Sequence, residues 1–118
     1  MGKLTKKIQD DMQKGQILTK NKLDLPFVLA FKYKLINGYE LSELRERDIK
    51  AFQGFLDKVS QMTFSQVDAN YKRDPYKNDI FQGEQVAHYK VTDTFRIHGI
   101  MEGDKFVVIR IDPKHDYD

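Results

Sequence analysis

The sequence predicts an α+β domain. One strand and two helices precede a three-stranded antiparallel meander, and the helices cover one face of the sheet. Three observations lead there. Residues 25–35 alternate with period two, residues 48–60 place apolar side chains at three- and four-residue spacing, and the last third holds three strand-like runs joined by short turns. A chain of 118 residues has the length of one domain with one core.

A basic extension, residues 1–22, precedes the domain proper, residues 23–118. In it Leu4, Ile8 and Met12 form a thin apolar stripe, which predicts a short helix over 4–14 ended by Gly15. In residues 25–35, Phe27, Leu29, Phe31, Tyr33 and Leu35 alternate with Val28, Ala30, Lys32 and Lys34, so a long strand with one buried face is expected. Pro26 suits its start and Asn37-Gly38 its end. The main helix carries Ile49, Phe52, Phe55, Leu56 and Val59, with Asp48 as its N-cap, or Ser42 if residues 41–47 extend it. Gly54 weakens that helix and points to a close backbone contact. Thr63-Phe64-Ser65-Gln66 has the spacing of a capping box and opens a second, shorter helix. Residues 70–84 read as a long polar loop. Strands follow at about 85–91, 94–101 and 105–111, the last two joined by Glu102-Gly103-Asp104 as a three-residue turn.

Composition narrows the chemistry. The absence of cysteine excludes disulfides, thiolate zinc sites and a cysteine nucleophile. No apolar run approaches the roughly 20 residues of a membrane span. The start, Met1-Gly2-Lys3-Leu4-Thr5-Lys6-Lys7, lacks the apolar stretch of a secretory signal. A cytoplasmic protein with no membrane partner is expected. Net charge is +2 and the pI about 8.7, below the value of about 9 typical of dedicated nucleic-acid-binding domains. Lysines 3, 6, 7, 14, 20 and 22 load the N-terminal segment. A run of this kind is most often a solvated face.

Pairing Met101 with Lys105 sets an expected register. Phe95, Ile97, Gly99, Val107, Ile109 and Ile111 then face the helices, while Arg96, His98, Ile100, Phe106, Val108 and Arg110 face away. In this register Arg96 lies opposite Arg110, and His88 and Lys90 of the preceding strand join the outer face. Like charges placed opposite each other call for a shared anion or a nearby carboxylate. An open face with two histidines, two arginines and a lysine suits a phosphodiester. Arginine grips phosphate oxygens, imidazole moves protons near neutral pH, and RNA supplies its own 2′-OH nucleophile, so neither cofactor nor metal is required. The three histidines also lack the tight spacing of zinc motifs. Sheet faces decorated with such residues are equally common without any activity.

Tyr89-Lys90-Val91 and the run from Phe95-Arg96-Ile97-His98 to Arg110-Ile111, with its acidic turn, resemble the RelE/ParE toxin family. So does the terminal Lys114-His115-Asp116-Tyr117, and so does the order of elements across residues 25–118. The resemblance implies a toxin-like endoribonuclease, an mRNA interferase of mobile elements, that cleaves single-stranded or ribosome-bound mRNA by metal-independent 2′-OH attack and so inhibits translation. It implies an antitoxin protein as partner. Arg96 then matches the phosphate-binding arginine and Lys90 a catalytic or RNA-binding lysine, while His115 and Tyr117 match terminal acid–base residues. His98 and His88 are further catalytic candidates, and Lys90, Arg110 and Lys114 bind substrate. The sequence departs from the family in its extra N-terminal segment, its long 70–84 loop, His98, and Asp116 between His115 and Tyr117. The alternative is a non-enzymatic protein that inhibits a host factor such as gyrase or a defence complex, with Tyr71, Tyr76 and Phe81 as anchors.

Overall fold

The computed structural model describes residues 24–75 and 78–117. The expected helix over 4–14, the rest of the 1–22 extension, and Tyr76 lie outside the described residues. The elements are β1 (Leu29–Ala30), α1 (Glu46–Val59), α2 (Phe64–Tyr71), β2 (Lys72–Arg73), β3 (Ile80–Phe81), β4 (Glu84–Gln85), β5 (Ala87–Lys90), β6 (Arg96–Glu102) and β7 (Lys105–Asp112). A five-stranded sheet runs in the order β1-β7-β6-β5-β2, and β3–β4 form a separate hairpin. The class is mixed α and β, with the expected antiparallel meander as β5–β6–β7. Among the described residues, no helix is long and apolar enough to cross a membrane.

The long strand expected over 25–35 is reduced to two residues, paired in parallel with β7 through Leu29–Phe106 and Ala30–Val107. The segment still follows β7. The Phe106 amide donates to the Val28 carbonyl at 2.8 Å, the Ile36 amide to Ile109 at 3.0 Å, and the Ile111 amide to Tyr39 at 2.8 Å. Between these bonds it leaves the ladder, and its alternation divides. Phe27, Leu29 and Leu35 join the helix-side core, Tyr33 packs on the opposite side, and Phe31 remains 51% exposed.

Helix α1 starts two residues before the expected boundary. Arg45 is the N-cap, and Asp48 acts from the first turn, its Oδ2 accepting the Arg45 amide at 2.9 Å. Leu41–Glu43 form a separate 3-10 turn instead of extending the helix. The capping box of α2 forms as its spacing predicts. The Thr63 amide donates to Gln66 Oε1 at 2.9 Å and the Gln66 amide to Thr63 Oγ1 at 3.3 Å. The expected loop over 70–84 holds the short strands β2 and β3 and the start of β4. β2 pairs with β5, and β3–β4 close on a two-residue turn with positive φ at Gln82 (51°) and Gly83 (80°), the signature of a type I′ hairpin.

Register differs from expectation in two steps. The β6–β7 turn has two residues, with Gly103 at φ 64°, so Glu102 rather than Met101 pairs with Lys105. A bulge between His98 and Gly99 then shifts the ladder again, setting His98 opposite Arg110, Ile97 opposite Ile111 and Arg96 opposite Asp112. Phe106 and Val108 therefore face the helices, packing with Phe27, Phe55, Val59, Phe64, Val67, Tyr89, Phe95, Ile97 and Ile111. Val107 and Ile109 turn to the other face. With Val86 and Ile100 they form a second small core, covered by Ala30, Tyr33, Ile36 and Phe81. The face expected to stay open is thus sealed.

Candidate functional site

Three adjacent strands place one polar residue each in a row across the sheet. His88 of β5 lies directly opposite His98 of β6, and His98 opposite Arg110 of β7. Directly paired residues project to the same side, so the two imidazoles stack with centroids 3.7 Å apart and planes 19° apart. Asp79 closes the row from the loop before β3. Its carbonyl accepts from the Val86 amide at 2.8 Å and from Gln85 Nε2 at 3.3 Å, which aims its carboxylate inward.

That carboxylate receives a two-pronged contact, Arg110 Nη2 to Oδ1 at 2.7 Å and Nη1 to Oδ2 at 3.0 Å. His88 Nε2 lies 2.6 Å from Oδ2. Arg110 Nη1 also contacts His98 Nδ1 at 2.8 Å. A guanidinium only donates, so Nδ1 is the acceptor and the ring proton of neutral His98 sits on Nε2. Among the described residues, His98 Nε2 and Arg110 Nε have no hydrogen-bond partner. The Tyr117 ring caps the cluster, its centroid 3.6 Å from the Arg110 guanidinium carbon. All four polar residues are sealed: Asp79 is 3% exposed, His88 2%, His98 1% and Arg110 2%.

Electrostatics follow from this enclosure. Burial pushes the Asp79 carboxyl up, but the hydrogen bonds and charges of Arg110 and His88 outweigh it and hold it below the ordinary value. For His98, burial, then His88, then Arg110 all oppose a proton and take it down to about 2. In this enclosed state His98 therefore favours its neutral form.

Asp79, His88 and His98 each offer a ligand atom, all within 4.8 Å of one another. Stacked imidazoles point their in-plane lone pairs side by side, so an ion bound to both at about 2.0–2.1 Å would lie far out of both ring planes. Arg110 already supplies the positive charge on the Asp79 oxygens. The cluster is closed by the chain's own cation.

The other expected site residues are scattered. Arg96 faces Asp112, not Arg110. It is 9% exposed, and its Nη1 donates to the carbonyls of Thr92, Asp93 and Phe95 at 2.6, 3.2 and 3.3 Å, tying down the β5–β6 turn. The expected Arg96–Arg110 phosphate clamp does not form, because the register differs by two at that end. Lys90 is paired to Asp93 at 3.0 Å. Lys114 and His115 are exposed, His115 with φ of 52°. Tyr117 is brought to the cluster by Asp112, whose buried carboxylate accepts the amides of Asp116 and Tyr117, each at 3.1 Å. Of the expected anchors, Tyr71 packs on Phe55 and Phe81 on Tyr33, so both pin their segments to the domain.

Asp79 and Asp112 are the residues that sequence reasoning missed. The signal for Asp79 was indirect: a buried arginine requires a carboxylate, and Asn78-Asp79 stands in the long polar stretch immediately before the meander. For Asp112 the signal was its place as last residue of the final strand. Compared with family models, with curated proteins and with solved structures, the chain finds no match.

Proposed function

We propose that this chain is a non-enzymatic binding module that engages another protein through the segment beside the outer edge of its sheet. The observation that carries the reading is the sealed state of the Asp79–His88–His98–Arg110 cluster, whose members are buried and bonded to one another. Such a cluster fixes the fold of three strands and a loop; it offers no reachable acid, base or phosphate grip. An endoribonuclease needs these groups at the surface, and of the three histidines only His115 is exposed.

Charge supports the same reading. Residues 1–23 carry six lysines against two aspartates, +4, so the chain's +2 leaves −2 for the residues after them. A net acidic body is a poor match for an RNA backbone. The segment entering the sheet instead exposes Leu25 (39%), Val28 (40%) and Phe31 (51%) within seven residues. Exposed aromatic and aliphatic side chains beside an edge strand are the material of strand-addition and hot-spot contacts.

Site-specific photocrosslinking in producing cells tests this. Benzoylphenylalanine in place of Phe31 is expected to yield one discrete protein adduct. The same group at Asp93, exposed far along the chain, is expected to yield none. In parallel, the protein incubated with mRNA, with and without translating ribosomes, is expected to generate no new RNA ends. New ends without an adduct at position 31 would reverse the reading in favour of the endoribonuclease.

A further inference from the structure

The cluster joins four pieces that are otherwise lightly attached on that face: the Asp79 loop with its hairpin, β5, the β6–β7 pair, and the tail bearing Tyr117. The buried core beneath is small, four residues against eleven on the helix side. His98 sits at its centre. The charged and titratable groups facing it are Asp79 from the loop, His88 from β5, Arg110 from β7, and His115 and Tyr117 from the tail. Its Nδ1 lone pair is occupied by an Arg110 N–H. A proton placed there would confront that donor and lie against the stacked His88 ring.

We propose that this cluster is a proton-operated latch. As pH falls below neutrality, His98 takes up a proton in a locally opened form in which the Ile80–Gln85 hairpin and the tail bearing Tyr117 have lifted from the sheet. The helix-side core stays folded. In that form His98 is hydrated and recovers its ordinary affinity for a proton, near 6.5. Each pH unit below that value raises the opened population about tenfold for the one proton taken up. Asp79 does not interfere, because its ordinary value of 3.8 leaves it ionised in both forms above about pH 5.

Amide hydrogen exchange of the full chain from pH 7 to pH 5 tests the latch. The reporter is the Val86 amide, bound to the Asp79 carbonyl. Exchange chemistry alone slows about tenfold per pH unit, so α1 amides that exchange by local fraying should slow by that factor while Val86, opening about tenfold more often per unit, keeps a nearly constant observed rate. Val86 slowing in step with those fraying amides would overturn the proposal, as would Val86 exchanging no faster than the most protected α1 amides, the mark of global unfolding. His98→Asn keeps an acceptor for Arg110 but cannot be charged, and should restore the ordinary slowing at Val86. Where that variant does not fold, imidazole nitrogen shifts of the wild type decide. His98 should remain neutral with its proton on Nε2 in the closed form at pH 5, and a charged His98 in the closed form would refute the latch.

Discussion

At the residue scale, Arg110 has the most to lose. It is a cation with 2% exposure, two bonds to one carboxylate and an aromatic ring over its face. Arg110→Leu leaves the Asp79 carboxylate buried beside His88 alone, and breaking a buried pair from one side costs about 3–5 kcal/mol. A urea titration should show that loss. Asp79→Leu combined with Arg110→Leu should cost less than the two single changes added together, because neither charge is then left unpaired. The row of His88, His98 and Arg110 was legible in the sequence as residues sharing a face. Their burial was not, since nothing local in residues 70–84 announces a hairpin returning over the sheet. The resemblance that assigned Arg96 to phosphate rested on its place in the run from Phe95 to Ile111; its carbonyl contacts depend on a turn geometry that such a run does not encode.

At the element scale, two glycines contrast. The sequence singled out Gly54 for a close contact, yet a Cβ built there meets nothing within 4 Å. Gly54→Ala should therefore stabilise α1 by about 0.5–1 kcal/mol. Gly99 received no such attention. A Cβ there would lie 2.3 Å from the Val107 carbonyl oxygen and 2.7 Å from the Phe106 ring. Gly99→Ala must displace backbone at the bulge and should cost about 1–3 kcal/mol, the range of overpacked cores. Thermal melts of the two variants should move in opposite directions. The helices and the meander were readable because periodicity and capping are local. The bulge was not, because an extra residue in a ladder is chosen by packing: Phe106 over Gly99 on one side, Arg110 beside His98 on the other.

At the scale of the whole molecule, the buried neutral imidazole sets a pH dependence of stability. His98 stays unprotonated in the folded state down to about 2 but takes a proton near 6.5 when unfolded. The unfolded chain then binds more protons, and stability falls as pH drops below 6.5, by about 1.4 kcal/mol per unit. Asp79, held low when folded, adds its own loss only below its ordinary 3.8. Unfolding free energies from urea titrations at pH 7 and pH 5 should differ by about 2 kcal/mol, with the acidic sample weaker. The parallel pairing of Leu29 with Phe106 and Ala30 with Val107 carries a further consequence, for the time course of folding. The first described strand finds its partner only in the last one, so this contact closes a very long loop and belongs among the late, slow steps. During synthesis Val28 and Phe31 emerge well before β7, and until it arrives they are a natural holding site for chaperones.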